Sequence, residues 1–283
     1  MSEIAFLLGD VAEARNDNHL RLPAGFRAAG WRVTELPHDC VNINNGSPRL
    51  GPWDPDQFDL IWPLGFGRQL SFFDRMQLLQ LLDQSRFVNT PDALVYLHGK
   101  YRWLDSMPET HAGNDVQALA AVIAGGGDWV LKPPAGSYGR DVRLIREGDD
   151  PGPALAALAG GEQALYCIVQ RYLPEITRGE TRTLIAGADI VGSYLRIPAD
   201  GLLANLSSDG EPAATALDAT TLRLVQTVAE DLQTLGVGFA AVDTAGGYLM
   251  EVNIANPGGL GTLESVYGKD PTAAAVAAII AQH

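Results

Sequence analysis

The segment Gly238-Phe239-Ala240-Ala241-Val242-Asp243 is followed, after Thr244-Ala245-Gly246-Gly247, by Tyr248-Leu249-Met250-Glu251-Val252-Asn253-Ile254-Ala255-Asn256-Pro257-Gly258-Gly259. Two short apolar stretches around a glycine-bearing turn spell a β-hairpin. Glu251 and Asn253 are two apart, so in a strand their side chains share one face, and the hairpin sets Asp243 opposite them. The product is an all-oxygen cluster. Such ligands suit Mg²⁺, a hard cation that keeps several waters and binds through one or two carboxylates plus nucleotide phosphates. Taken alone, the pattern is equally that of an ordinary hairpin with polar edges.

The rest of the chain gives the hairpin its context. A length of 283 residues, a hydrophobic content of 46%, 31 Gly and 17 Pro describe a globular chain that can bury a large core in two or three lobes. No apolar run approaches the ~20 residues needed to span a bilayer. The N-terminal Ile4-Ala5-Phe6-Leu7-Leu8 lacks a basic lead and stops at Gly9-Asp10, so it reads as a buried strand rather than a signal peptide. Cys40 and Cys167 are too few and too far apart for a disulfide framework, and a cytoplasmic location is expected. A net charge of -14 speaks against nucleic acid as the main partner, because phosphate backbones demand clustered Lys and Arg. A nucleotide site stays open, since it needs only a few local cations and Mg²⁺.

Periodicity organises the sequence into three parts: 1–106, 107–175 and 176–283. In the first, strands are expected over 3–8, 31–36 and 58–62, with 87–89 as a last strand, helices over 19–29 and 72–82, and a hairpin near Asn42-Ile43-Asn44-Asn45-Gly46. This alternation implies a small parallel α/β lobe. The second part carries a helix over 115–123 and an antiparallel sheet from 129–132, 142–145 and 166–170. The third holds strands over 182–185 and 190–197, a long helix over 219–235, the hairpin and a terminal helix over 272–281. The fold class is therefore α/β with α+β character.

Six segments in order between 87 and 253 resemble the ATP-grasp superfamily, and within it the bacterial glutathione synthetases. They are Phe87-Val88-Asn89-Thr90-Pro91 before Lys100; Trp129-Val130-Leu131-Lys132-Pro133; Val169-Gln170-Arg171-Tyr172-Leu173-Pro174; Gly179-Glu180-Thr181-Arg182-Thr183-Leu184; Tyr194-Leu195-Arg196-Ile197-Pro198; and the Asp243/Glu251/Asn253 cluster. The resemblance implies an ATP-grasp fold behind an N-terminal parallel α/β lobe. It also implies an ATP-dependent, ADP-forming carboxylate–amine ligase using Mg²⁺, as one ion or two, with Mn²⁺ as a substitute. Lys100 and Lys132 correspond to the nucleotide lysines, and Gly136, Ser137 and Gly139 to a phosphate loop whose backbone N–H groups cover the phosphates. Gln170, Arg171, Tyr172 and Leu173 correspond to the crossover that reads adenine, and Glu180 to the acidic group near the nucleotide. Arg182 and Arg196 are the candidates for transition-state charge, because a fixed guanidinium binds two anionic oxygens at once. Arg196 lies in an apolar segment and needs an anionic partner, which a structural ion pair would also supply. Small carboxylate and amine substrates and a homo-oligomeric state are expected.

The sequence departs from the glutathione synthetases where substrates would bind. Asn205 and Leu206 match the family, but the arginine two positions before Asn205 is Leu203, and the loop carries Asp200, Asp209 and Glu211. The terminal motif is Asn256-Pro257-Gly258-Gly259, with Asn256, Gly258 and Gly259 as candidate substrate contacts where the family more often has Ser or Thr. In the first lobe, Asp17 is expected to cap a helix, with Asn18 and His19 beside it. The run Pro63-Leu64-Gly65-Phe66-Gly67-Arg68-Gln69-Leu70-Ser71-Phe72-Phe73-Asp74-Arg75 leaves a strand end, where ligands collect in open α/β sheets. Arg68 and Arg75 are read there as holding an acidic substrate, and Phe66, Phe72 and Phe73 a flat ring; a helix with two surface arginines is the plain alternative. Glutathione synthesis is the nearest reading. The others are a ligase adding an amino acid such as glutamate to a pterin-type cofactor or other metabolite, and a non-catalytic nucleotide-binding protein.

Overall fold

The computed structural model describes residues 1–9, 16–97, 100–134, 141–198 and 211–283. Gly136, Ser137, Gly139, Leu203 and Asn205 lie outside the described residues, as does most of the acidic loop.

The first lobe is built on β1 (Glu3–Leu8), β2 (Arg32–Pro37) and, after the hairpin β3 (Val41–Asn44) and β4 (Ser47–Leu50), β5 (Leu60–Leu64). The order β2-β1-β5 is parallel, as the strand–helix alternation requires. The hairpin turns at Asn45 and Gly46, both with positive φ (50° and 78°), the backbone of a type I′ turn. Helix α1 (Asn18–Ala28) covers one face; α2 (Phe72–Leu79) and α3 (Pro91–Tyr96) follow β5. Thr90 caps α3 by accepting from the Ala93 N–H, and Pro91 occupies the first turn, where its missing N–H costs nothing.

The expected strand over 87–89 does not form. Phe87 and Asn89 each make one isolated bridge, to Ile61 and Val237. The Asn89 side chain takes over instead: its amide donates to the carbonyls of Phe239 (2.8 Å) and Ile254 (2.6 Å) and accepts from the N–H groups of Gly238 and Phe239 (3.0 and 2.9 Å). All four hydrogen-bonding capacities of a fully buried amide are filled. Asn89 thereby fastens the first lobe to the end of the chain.

The second sheet combines β6 (Thr110–Gly113), β7 (Trp129–Lys132), β8 (Arg143–Ile145) and β9 (Cys167–Arg171) in the antiparallel order β6-β9-β7-β8. Helices α4 (Val116–Ala124), capped by Asp115, and α5 (Gly152–Leu158) close a separate small core around Trp129, Leu131, Leu155 and Val169. The third sheet is β12-β11-β10-β13-β14, from β10 (Glu180–Ala186), β11 (Asp189–Ile197), β12 (Glu211–Ala214), β13 (Phe239–Ala245) and β14 (Tyr248–Asn253). Helix α6 (Ala219–Thr234) packs Val225, Val228 and Leu232 with Ile185 and Val242. Helices α7 (Leu260–Tyr267) and α8 (Thr272–Gln282) pack Leu263, Val276 and Ile279 with Leu184 and Phe239. Both of these cores continue into the first lobe, through Ala5, Ile61 and Phe87 on one side and Phe6, Phe26 and Trp62 on the other. Among the described residues, no helix is long and apolar enough to cross a membrane.

Candidate active site

Cross-strand register assembles the charged centre. In the third sheet Glu180 stands opposite Arg196, Arg182 opposite Asp243, and Asp243 opposite Glu251. Glu180 and Arg182 are two apart on β10, and Glu251 and Asn253 two apart on β14, so the alternation of the pleat turns them toward one side. Asp243 is the hub: Arg182 donates from Nε to Oδ1 (2.8 Å) and from Nη2 to Oδ2 (2.7 Å), and Arg196 Nη2 reaches Oδ2 at 2.9 Å. Arg196 also bonds Glu180, and Asn253 Nδ2 donates to Asp243 Oδ2 at 3.1 Å.

Electrostatics follow from this packing. Burial alone would raise the Asp243 carboxyl, but Arg182 and Arg196 hold it below the usual carboxylate range. Burial opposes the charge of Arg182, and Asp243 outweighs it, so the guanidinium stays firmly protonated. Glu180 is different. Burial pushes its carboxyl up to about 7, Arg196 opposes the push, and Asp243 and Glu251 add to it.

Two lysines meet the hub from other segments. Lys100 pairs with Glu251 at 3.1 Å, and its backbone has φ +61°, the left-handed conformation. Lys132, the last residue of β7, donates to Gln170 Oε1 at 2.9 Å, while Gln170 Nε2 donates to Thr110 Oγ1 at 2.8 Å. Burial lowers the Lys132 ammonium to about 8, the charge of Lys100 lowers it further, and Glu251 and Glu180 resist. Lys100 and Lys132 therefore both feel the charge of Glu251, the first by direct pairing.

The crossover residues are engaged in building the small sheet. Arg171 bonds Glu109 through Nη2 (2.8 Å) and the Gly126 carbonyl through Nη1 (2.8 Å), with its guanidinium 3.7 Å over the Trp129 ring. The N–H groups of Arg171 and Tyr172 donate to the carbonyls of Glu109 and Asp128, and the Leu173 carbonyl accepts from Ile176 N. The side chains of Gln170 and Arg171 are thus engaged by Lys132, Thr110, Glu109, Gly126 and Trp129.

The terminal motif is gripped by the first lobe. Asn18 Nδ2 donates to Asn256 Oδ1 (2.8 Å) and the Pro257 carbonyl (2.9 Å), and Asn16 Nδ2 donates to the Asn256 carbonyl (3.1 Å). The Gly258 carbonyl accepts from Arg182 Nη1 at 3.3 Å, so this loop touches the charged hub directly; Gly259 precedes α7. Asn16 was not anticipated from the sequence, although the Asn16-Asp17-Asn18 run before a helix was a usable signal. Asp17 holds the N-cap position of α1 but makes no side-chain cap bond, because its carboxylate is taken by Arg21.

The arginine pair in the first lobe divides. Arg68 is exposed, 84% for its side chain, whereas Arg75 is buried at 4% and bound to the carbonyls of Phe66 and Arg68, to Ser71 and to Asp39. Arg75 is therefore not a substrate-facing cation, since its donors are turned into the protein. Phe66 and Phe72 pack against the core edge-to-face at 5.5 Å, which leaves Phe73, 65% exposed, as the outward ring.

The donors of Asp243, Glu251 and Asn253 are hard oxygens on adjacent strands, which fits Mg²⁺. Holding it requires Asp243 to give up an oxygen now bound by Arg182 and Arg196, Asn253 to turn its amide oxygen inward and Glu251 to share itself with Lys100.

Comparison with known proteins agrees with this geometry. The model of the prokaryotic glutathione synthetase ATP-grasp domain matches residues 99–268. The glutathione synthetase of Parasynechococcus marenigrum is 30% identical over 219 residues, covering 73% of this chain and 70% of that protein. That of Prochlorococcus marinus (strain MIT 9313) is 29% identical over 261 residues, covering 87% and 82%. Among solved structures, the ATP-grasp ligase PsnB with Mg, ADP and a phosphomimetic variant of its minimal precursor superposes with a TM-score of 0.71 at 15% identity, covering 100% of this chain and 98% of that one. The D-cycloserine synthetase DcsG gives 0.69 at 16% identity with full coverage of both chains, and at such identities the likeness establishes the fold alone. The family uses ATP and Mg²⁺. This chain belongs to the prokaryotic glutathione synthetase ATP-grasp family and is an ADP-forming acid–amino-acid ligase.

Proposed function

We propose that the chain joins an anionic carboxylic acid to an amine through an acyl phosphate, in the manner of glutathione synthetase. The observation that carries this reading is the ladder Glu180/Arg196, Arg182/Asp243 and Asp243/Glu251, with Lys100 and Lys132 facing it. The donor carboxylate attacks the γ-phosphorus of ATP, the bond to the ADP oxygen breaks, and an acyl phosphate forms. The amine then attacks the acyl carbon, loses a proton and expels phosphate, leaving an amide. Lys100 and Lys132 neutralise phosphate oxygens. Arg182 and Arg196 stabilise the charge that builds on the transferring group, held in place by Asp243 and Glu180. Asp243, Glu251 and Asn253 would hold Mg²⁺, which would supply positive charge to neutralise the nucleotide phosphates. Asn256, Gly258 and Gly259 place the amine substrate against the hub, because the Gly258 carbonyl touches Arg182.

The donor reading leans away from γ-glutamylcysteine. Leu203 stands where the family carries an arginine, and 199–211 has three acids and no Lys or Arg, a loop that repels small carboxylates. Exposed Arg68 near exposed Phe73 suits a larger anionic donor, including one of pterin type to which an amino acid such as glutamate is added. The test is coupled ADP release with the purified protein across amino-acid amines, with γ-glutamylcysteine, glutamyl peptides and pterin-type acids as donors. Release that needs both a donor and an amine supports the ligase reading. Donor-independent ATP binding with no turnover under any combination would favour a non-catalytic nucleotide-binding protein.

A further inference from the structure

The chemistry proposed above leaves Arg75 without a part, although it is a buried cation in the first lobe. Three of its four acceptors belong to a single short loop: the carbonyls of Phe66 and Arg68 (2.9 Å) and the Ser71 hydroxyl; the fourth is Asp39 Oδ1 at 3.3 Å. Lysine could not replace this arrangement, because only a planar fork reaches acceptors on both sides at once. The backbone beneath it is built to fit. Gly67 has φ +63°, and a Cβ there would lie 2.7 Å from Arg75 Nη2 and 3.0 Å from His38 Cβ and Cγ.

The loop leaves the carboxyl end of β5, and its first residue, Gly65, donates to the Ala255 carbonyl at 2.8 Å, next to Asn256. It presents Arg68 and Leu70 (101% exposed) outward, and the first turn of α2 adds Phe73 (65% exposed). Asp39 stands 3.6 Å from Arg68 Nε, a solvent-exposed pair, while it also serves Arg75. A buried guanidinium is an inefficient way to gain stability, since an apolar residue of similar volume often does as well. Its usefulness lies in the loop geometry it enforces.

We infer that Arg75 is a positioning residue that holds loop 65–71 so that Arg68, flanked by Leu70 and Phe73, meets an anionic donor with an apolar body. The inference rests on the donor reading above. It is tested with Arg75→Met and Arg75→Lys in the full chain, and with Gly67→Ala, which keeps the charge but drives a Cβ into the brace. In each, the KM for whichever panel acid supports ADP release should rise about tenfold or more, while kcat and the KM for ATP stay within about twofold. Amide hydrogen exchange should accelerate in 66–71 and stay unchanged in β10 and β13. An unchanged donor KM in all three variants overturns the inference, as does a parallel rise in the KM for ATP. Should wild-type protein show no donor-dependent ADP release, the reading of function fails. The brace is then judged by exchange alone, and unaltered protection of 66–71 in both Arg75→Met and Gly67→Ala defeats it.

Discussion

Replacing Asp243 by Asn removes the negative charge on which two guanidiniums converge. The three side chains are 0%, 15% and 7% exposed for Asp243, Arg182 and Arg196, so water screens little of the change. The carboxylate accepts two bonds from Arg182, one from Arg196 and one from Asn253; with its amide oxygen at the Oδ2 position an Asn side chain keeps three of these and loses the bond from Arg182 Nε. A bond to a charged group contributes about 1.5–3 kcal/mol. Leaving the buried guanidiniums without their counter-charge raises the cost to about 3–5 kcal/mol, the figure for removing one partner of a buried ion pair. Glu180 offsets part of the loss, because Asp243 is one of the charges that push its carboxyl up, and removing that charge lets it ionise more fully beside Arg196. A loss near ~4 kcal/mol is a large part of the roughly 5–15 kcal/mol that holds a native protein together. Urea unfolding followed by circular dichroism near neutral pH, without nucleotide or Mg²⁺, measures it. With a slope of about 3 kcal/mol per molar, the midpoint should drop by roughly 1.3 M. Arg182→Gln added to Asp243→Asn should restore part of the loss, because it removes one stranded cation. A midpoint unmoved by Asp243→Asn would refute the hub.

Three further substitutions separate chemistry from support. Glu251→Gln keeps size and is less buried than Asp243, so stability should change far less while turnover falls at least ~100-fold; near-normal turnover would remove it from the metal site. Lys132→Ala should weaken ATP binding in calorimetry more than it lowers Tm, and the reverse pattern would make it structural. The same lysine sets a pH dependence: lowered from 10.5 to about 8, it is charged below that value, so ATP affinity should fall as pH rises from about 7 to 9. Between about 8 and 10.5 the unfolded chain holds a proton the native state lacks, so the unliganded protein gains stability from this residue as pH rises across that window. Arg68→Ala should raise the donor KM with ATP affinity nearly unchanged; efficient glutathione formation insensitive to that change would restore γ-glutamylcysteine as the donor.

The sheet that carries the site was legible because its signal is local. A period of two places Glu251 beside Asn253, and a Gly-Gly turn fixes the register that sets Asp243 against Glu251; the strand expected over 182–185 begins at Glu180, which brings that residue to the face of Arg182. The family resemblance and the fold were legible for the same reason. What stayed hidden depends on partners far along the chain. Asn89 reads as the end of a strand, yet its neighbours are more than a hundred residues away. Arg68 and Arg75 look alike in sequence, and only the register of α2, which puts Arg75 one turn from buried Leu79, tells the buried one from the exposed one. Helix α7 was missed because the glycines before and within it mask the Leu260 and Leu263 stripe.

The Asn89 bonds have a bearing on synthesis. Its partners Phe239 and Ile254 lie 150 and 165 residues downstream. At about 5–20 residues per second, a ribosome takes roughly ten to thirty seconds to deliver them. Until then the first lobe emerges with an apolar face that has nothing to cover it. The small sheet closes its core from residues between 116 and 169 and needs no such wait. The middle of this chain can therefore fold before its beginning, and the nascent first lobe is the segment most in need of a chaperone.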